Sequence, residues 1–200
     1  MSLSTVTFKR LSGAAIVPFV RDLARLRIDI FREYPYLYDG DEDYELNYLK
    51  TYVQSPRSIV MLVFDGNRLV GATTGLPMAD ETTEFQRPFL DRDLDVRGIF
   101  YCGESVLRPS CRGRGIYRQL FLAREDHART LGGFHTATFC CVQRPVSHPA
   151  RPADYVPLDA VWQHFGYAEH PELQTEYVWK DIDEAQATSK QMRFWTKTLT

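Results

Sequence analysis

The chain has 200 residues, 44% hydrophobic and 25% charged, with a formal net charge of −2. Such a composition fits one globular domain with a sizeable core and excludes fibrous and disordered classes; the near balance of charge argues against bulk attraction to nucleic acid. No apolar run is long enough to span a bilayer and the N-terminus lacks a signal-peptide core, so a cytoplasmic protein is expected.

Residues 5–11 alternate as a first strand, with Val6 and Phe8 against Thr7 and Lys9. Ile16, Phe19, Val20, Leu23, Leu26, Ile30 and Phe31 then recur at helical spacing; Pro18 falls in the first turn of this long helix or marks a later start, and the helix must end before Pro35. An acidic, tyrosine-rich connection over residues 34–45 leads into a second helix near residues 43–52. Its carboxylates Asp39, Asp41 and Asp43 read first as helix N-terminal charge and a solvated loop.

The unbroken apolar run of residues 58–64 suits a strand covered on both faces. Asp65-Gly66-Asn67 is a hairpin turn, and residues 69–76 return as the next strand until Pro77. Residues 79–97 are polar and charge-rich, with Phe85, Phe89 and Leu90 as anchors for a short helix; the sequence does not decide whether the stretch is a mobile flap over the site.

Residues 98–107 form a strand that Pro109 stops. Arg112-Gly113-Arg114-Gly115-Ile116-Tyr117 follows and opens a helix marked by Ile116, Leu120, Ala123, His127 and Leu131, stopped at Gly132. A strand, a tight glycine loop and a helix start leave several N–H groups without partners, an arrangement that binds phosphate. Its plainer alternatives are a structural loop or, with Arg118, a basic patch for nucleic acid.

Residues 136–142 give a further strand, so the strand, loop, helix, strand order makes a parallel crossover. Residues 143–157 are too proline-rich for regular structure. A short helix over residues 158–165, capped by Asp159 and closed by Gly166, precedes two last strands at residues 176–180 and 192–199. The four cysteines, Cys102, Cys111, Cys140 and Cys141, have no paired-ligand spacing and read as reduced core thiols, so no metal is expected.

Arg112-Gly113-Arg114-Gly115, after Leu107-Arg108-Pro109, resembles the acyl-CoA loop of the GNAT superfamily of N-acyltransferases: Arg or Gln, two residues, Gly, one residue, then Gly or Ala. Tyr117 stands at the last position and departs from that pattern. Phe165-Gly166-Tyr167 is similar to the family's aromatic-Gly-aromatic turn, and the element order matches over most of the chain. The resemblance implies one α/β domain over residues 1–200: a mixed, mostly antiparallel sheet of six to seven strands flanked by helices, with the parallel crossover at its centre.

The resemblance also implies the chemistry. Acetyl-CoA would be the acyl donor, its pyrophosphate held by the amides from Arg112 through Gly113, Arg114, Gly115 and Ile116 to Tyr117, and its pantetheine arm paired with Val106 and Leu107. Glu104 would then lie beside the thioester, able to take the proton of an attacking primary amine on a small molecule or protein. Its plain alternative is a strand glutamate paired with an arginine or facing solvent.

Trp162 holds the place of the tyrosine that many members use to protonate the thiolate. Tyr155 is the first substitute, with Tyr117 and Tyr167 behind it. The acidic, tyrosine-rich connection would line the acceptor side and suit a cationic amine. A second reading, motivated by Tyr117 and Trp162, is an acyl-CoA-binding module with little catalysis. A homodimer is a further expectation, since late strands in the family often pair across subunits.

Overall fold

The computed structural model describes residues 6–200. Thr5, the first residue of the predicted opening strand, lies outside them. In chain order the elements are β1 (Thr7–Leu11), α1 (Val20–Phe31), α2 (Glu42–Gln54), β2 (Ile59–Asp65), β3 (Arg68–Pro77), α3 (Thr83–Leu90), β4 (Ile99–Tyr101), β5 (Ser105–Leu107), α4 (Ile116–Leu131), β6 (Thr136–Val142), α5 (Asp159–His164), β7 (Ala168–Trp179) and β8 (Thr188–Thr198).

The sheet runs β1-β2-β3-β4-β6-β8-β7, with β5 paired to β3 off that path. Its pairs are antiparallel except β4 and β6, whose parallel register, Ile99 to Thr136, requires the crossover that α4 provides. Eight strands are present where six to seven were expected, because residues 98–107 split into two.

Each face of the sheet is covered for a reason visible in the helices. Leu23 and Leu26 of α1 and Leu49 and Tyr52 of α2 pack with Val60, Leu62 and Leu76 of the sheet. On the other face Phe121 of α4 meets Phe100, Phe139 and Trp195. Burying these side chains is the main stabilising term, at about 1.5–3 kcal/mol for each large apolar residue.

Residues 79–97 carry the short helix that their apolar anchors suggested: α3 buries Phe85 and Phe89, and Thr175 on β7 donates to the Glu84 carbonyl at 2.7 Å. Pro18 marks the later start of the first helix: Gly13–Phe19 is a 3-10 turn and α1 opens at Val20, since Pro18 has no N–H to continue an α ladder. Asp159 does not cap α5; Leu158 occupies that position without a side-chain bond. The last two strands also begin well before their predicted starts, at Ala168 and Thr188. β7 is an edge strand with mostly exposed or half-buried residues, so its apolar alternation is weak.

Candidate active site

The site begins where the central strand splits. Cys102 N–H donates to the Thr138 carbonyl on β6 at 2.7 Å, but Gly103 N–H turns to Thr74 on β3 at 3.1 Å. Thr74 N–H in turn donates to the Glu104 carbonyl at 3.1 Å, and β5 continues on β3 alone. β6 meanwhile stays with β8. The sheet therefore opens between β5 and β6. Glycine is required at the fork, because a Cβ on Gly103 would lie 2.0 Å from the Tyr52 hydroxyl and 2.6 Å from Thr74 Oγ1.

The opening is a cleft of about 1190 Å³ lined by Ser105, Tyr117, Phe121, Arg124, Tyr155 and Trp162 among others. The glycine loop immediately precedes Tyr117. Gly113 and Gly115 hold φ of 72° and 73°, the left-handed region, where other residues are strained. Gln119 N–H bonds back to Gly115 at 3.4 Å, so the amides of Ile116, Tyr117 and Arg118 have no acceptor within the helix.

Side chains of the loop do structural work. Arg112 donates to the Leu107 carbonyl at 3.1 Å and to Glu33 at 2.8 Å, and Arg108 to Asp29 at 2.8 Å, which tie the loop to the end of α1. Val106, Leu107 and Ile116 are buried. Tyr117 turns inward instead of blocking the loop: it packs on Phe121, ring centroids 4.9 Å apart, and its hydroxyl accepts from Trp162 Nε1 at 3.1 Å.

Tyr155 stacks edge-on against Tyr34, centroids 4.6 Å apart, with Arg151 over its ring at 4.9 Å. Burial pushes its phenol above the ordinary value, so it keeps its proton at neutral pH. Tyr167 is packed in the core below the cleft and does not line it.

A second cavity lies under the connection between α1 and α2. That connection is pinned to the last hairpin. Arg144 donates to the carbonyls of Pro35 at 2.8 Å and Tyr36 at 2.9 Å and pairs with Asp181 at 2.7 Å. Tyr36, Tyr38 and Tyr44 line the cavity. The three aspartates do not. Asp39 is held below the usual carboxylate range by the Lys180 ammonium, Asp41 caps α2 by accepting from Tyr44 N–H at 2.8 Å, and Asp43 is exposed.

The charges at the cavity floor are ones that sequence reasoning missed. Arg27 of α1 forms ion pairs with both Glu45 of α2 and Glu104, and its guanidinium lies 5.1 Å and 4.5 Å from the ring centres of Phe31 and Tyr48. Arg27 follows Leu23 by four residues, and Glu45 precedes Leu49 by four, so both occupy the buried stripe of their helices. A charge at such a position, repeated on two adjacent helices, was the available signal.

Glu104 is 7% exposed, and its Oε1 has no hydrogen-bond partner among the described residues. Arg124 on α4, 2% exposed, donates to the Glu104 carbonyl at 3.2 Å, and its Nε is likewise unpartnered. It forms no ion pair among the described residues, an unusual state for a buried guanidinium.

Other titratable groups are placed for structure. His127 accepts from Arg10 at 2.6 Å and sits 3.0 Å from the Arg57 carbonyl, and burial lowers its pKa. His148 lines neither cavity. Cys140 borders both, but burial pushes its thiol well above the ordinary value, so no nucleophilic thiolate is present.

The cleft and the aromatic cavity share Phe31, Tyr36, Gly103, Glu104 and Cys140. They meet at the fork in the sheet, with the free carboxylate oxygen at the junction.

Comparison with known proteins agrees with this architecture. NAA60 of Arabidopsis thaliana, solved in complex with acetyl-CoA, superposes with a TM-score of 0.62 at 12% identity over 98% of this chain and 99% of that one. The same protein with a bisubstrate analogue gives 0.61 at 13% identity over 97% and 98%. An N-acetyltransferase from Staphylococcus aureus Mu50 gives 0.59 at 14% identity over 98% and 100%. No curated protein sequence matches the chain. The sequence model of the Acetyltransferase (GNAT) family matches residues 23–153, well over half the length. The chain belongs to the GNAT family of acetyltransferases.

Proposed function

We propose that the protein transfers an acetyl or short acyl group from acetyl-CoA directly to a primary amine. The observation that carries this reading is the junction of two cavities at Glu104: a cleft beside an open row of helix amides, and an aromatic cavity with a free carboxylate oxygen at its floor. Acetyl-CoA supplies the acyl group as a reactive thioester. The residues present fit it, since amides 113–118 and the positive end of α4 suit a pyrophosphate, and β5 has an edge left unpaired by the fork.

An amine attacks only as the free base, and Glu104 Oε1 is the group placed to take its proton. Arg124 is a buried cation on the same cleft and favours negative charge developing beside it. Tyr155 returns a proton to the departing sulfur. A phenol is a weaker acid than a thiol, so this step contributes modestly, and Tyr155→Phe should lower kcat about tenfold. Tyr117→Phe should cost less, because its hydroxyl is already engaged with Trp162. Equal kcat for Tyr155→Phe and the parent would remove Tyr155 from the mechanism.

Titration calorimetry with acetyl-CoA, followed by thiol release over an amine panel, tests the whole reading. Saturable binding and amine-dependent release are expected; binding without release for any amine would leave only a CoA-binding module. Gly115→Ala should weaken acetyl-CoA by about tenfold, because the left-handed conformation costs a residue with a side chain roughly 1–2 kcal/mol and the loop would turn its amides away. Unchanged affinity in that variant would move the pyrophosphate site elsewhere.

A further inference from the structure

The acceptor cavity is built for a narrow class of amine. Nine of its fifteen lining residues are aromatic. Phe85 lies 5.2 Å from Tyr101 and 5.1 Å from Tyr177, with interplanar angles of 34° and 32°, so three rings form one slanted stack along the wall. Tyr44, 40% exposed, meets Tyr177 by a hydroxyl bond and marks the mouth toward solvent.

The only charged lining residues are Arg27, Glu45 and Glu104, which pair with one another. Their formal charges leave one negative in excess. The single guanidinium is already engaged by two carboxylates and has none of its charge to offer a third.

We propose that the acceptor is a primary amine carried on an aromatic ring by a short apolar chain, without a carboxylate. This rests on the acetyl-transfer reading above. The ring lies against Phe85, Tyr101 and Tyr177, and the amine faces Glu104 at the junction. The amine nitrogen forms a bond to the acetyl carbonyl carbon as the carbon–sulfur bond breaks. Its surplus proton goes to Glu104, and sulfur leaves with the bonding pair and gains a proton as the free thiol.

Competing amines fit poorly. An amino acid would bring a carboxylate into a cavity whose lining cation, Arg27, is already paired with two carboxylates, and a polyamine would bury further ammonium groups in an apolar cage. The aromatic wall offers ring contacts worth more than their area alone.

The test is thiol release from acetyl-CoA with 2-phenylethylamine and tryptamine against phenylalanine, tryptophan, spermidine and a short peptide with a free N-terminus. The arylalkylamines are expected to exceed their amino-acid counterparts in kcat/KM by about 100-fold, the ratio typical of leaving a polar group unpaired in a closed site. Tyr177→Ser and Tyr44→Ser should raise KM for phenylethylamine about 3- to 10-fold with kcat little changed and acetyl-CoA affinity intact.

Thiol release that is as fast with phenylalanine, or fastest with spermidine or the peptide, would overturn the proposal while leaving acetyl transfer in place. Binding of acetyl-CoA with no release for any amine also overturns it. Absence of acetyl-CoA binding would defeat the underlying reading itself.

Discussion

Glu104→Gln is expected to lower kcat by about 10²- to 10⁴-fold near neutral pH, the usual contribution of a positioned base. The substitution keeps the shape of the side chain, so the cleft and the glycine loop should hold acetyl-CoA with unchanged affinity. Arg27 keeps its second partner, Glu45, and the fold should survive. The loss should also depend on pH in a definite direction. An alkylamine is protonated at neutral pH, with a pKa of about 10, and becomes its own free base only as pH rises toward that value. The deficit of the variant should therefore be greatest at low pH and shrink toward about pH 10. A pH profile of kcat/KM for both proteins measures this. A constant ratio across the range would show that Glu104 orients Arg27 or the fork and does not receive the proton.

The parts of this site that were legible in the sequence are those made by neighbours in the chain. The glycine loop, the apolar residues before it and the periodic helix after it are contiguous, and each obeys local rules of turn chemistry and helical spacing. Glu104 was found because it sits a few residues from that loop. The acceptor cavity is different: Arg27, Glu45, Phe85, Glu104 and Tyr177 come from five separate elements and meet only when the sheet is assembled. The local reading of Asp39, Asp41 and Asp43 as helix N-terminal charge and solvated loop holds: Asp41 caps α2, Asp43 is exposed, and Asp39 pairs with Lys180.

The fork was also hidden. Residues 98–107 have the apolar content of one strand, and only Gly103 records that the backbone must pass close to Tyr52. Tyr117 shows the converse, a departure from the family pattern that looked obstructive. Its ring is absorbed by Phe121 and Phe165, and Trp162 binds its hydroxyl.

Glu81 offers the second large effect, this time on stability. It ends the 3-10 turn Met78–Asp80, is 5% exposed, and neither carboxyl oxygen has a hydrogen-bond partner among the described residues. Burial first, and then the neighbouring charge of Glu104, push its carboxyl up from 4.5 to about 8. The sign follows from proton linkage. Below about pH 4.5 the folded and unfolded chains both hold this proton, and Glu81 contributes no pH dependence.

Between about pH 4.5 and about pH 8 the folded chain keeps the proton while the unfolded chain has released it, so stability falls as pH rises. At about 1.4 kcal/mol per pH unit the loss reaches about 5 kcal/mol, a large share of the 5–15 kcal/mol that holds a typical domain together. Glu81→Gln removes the titration. Its amide is buried without ready partners and costs about 1–3 kcal/mol, so the variant should be slightly less stable than the parent near pH 5. Near pH 9 the order should reverse, with the variant more stable by about 2–4 kcal/mol. Urea denaturation at the two pH values decides the matter. Stability curves that stay parallel would mean that Glu81 is ionised in the folded protein, and that water or a neighbouring group reaches it.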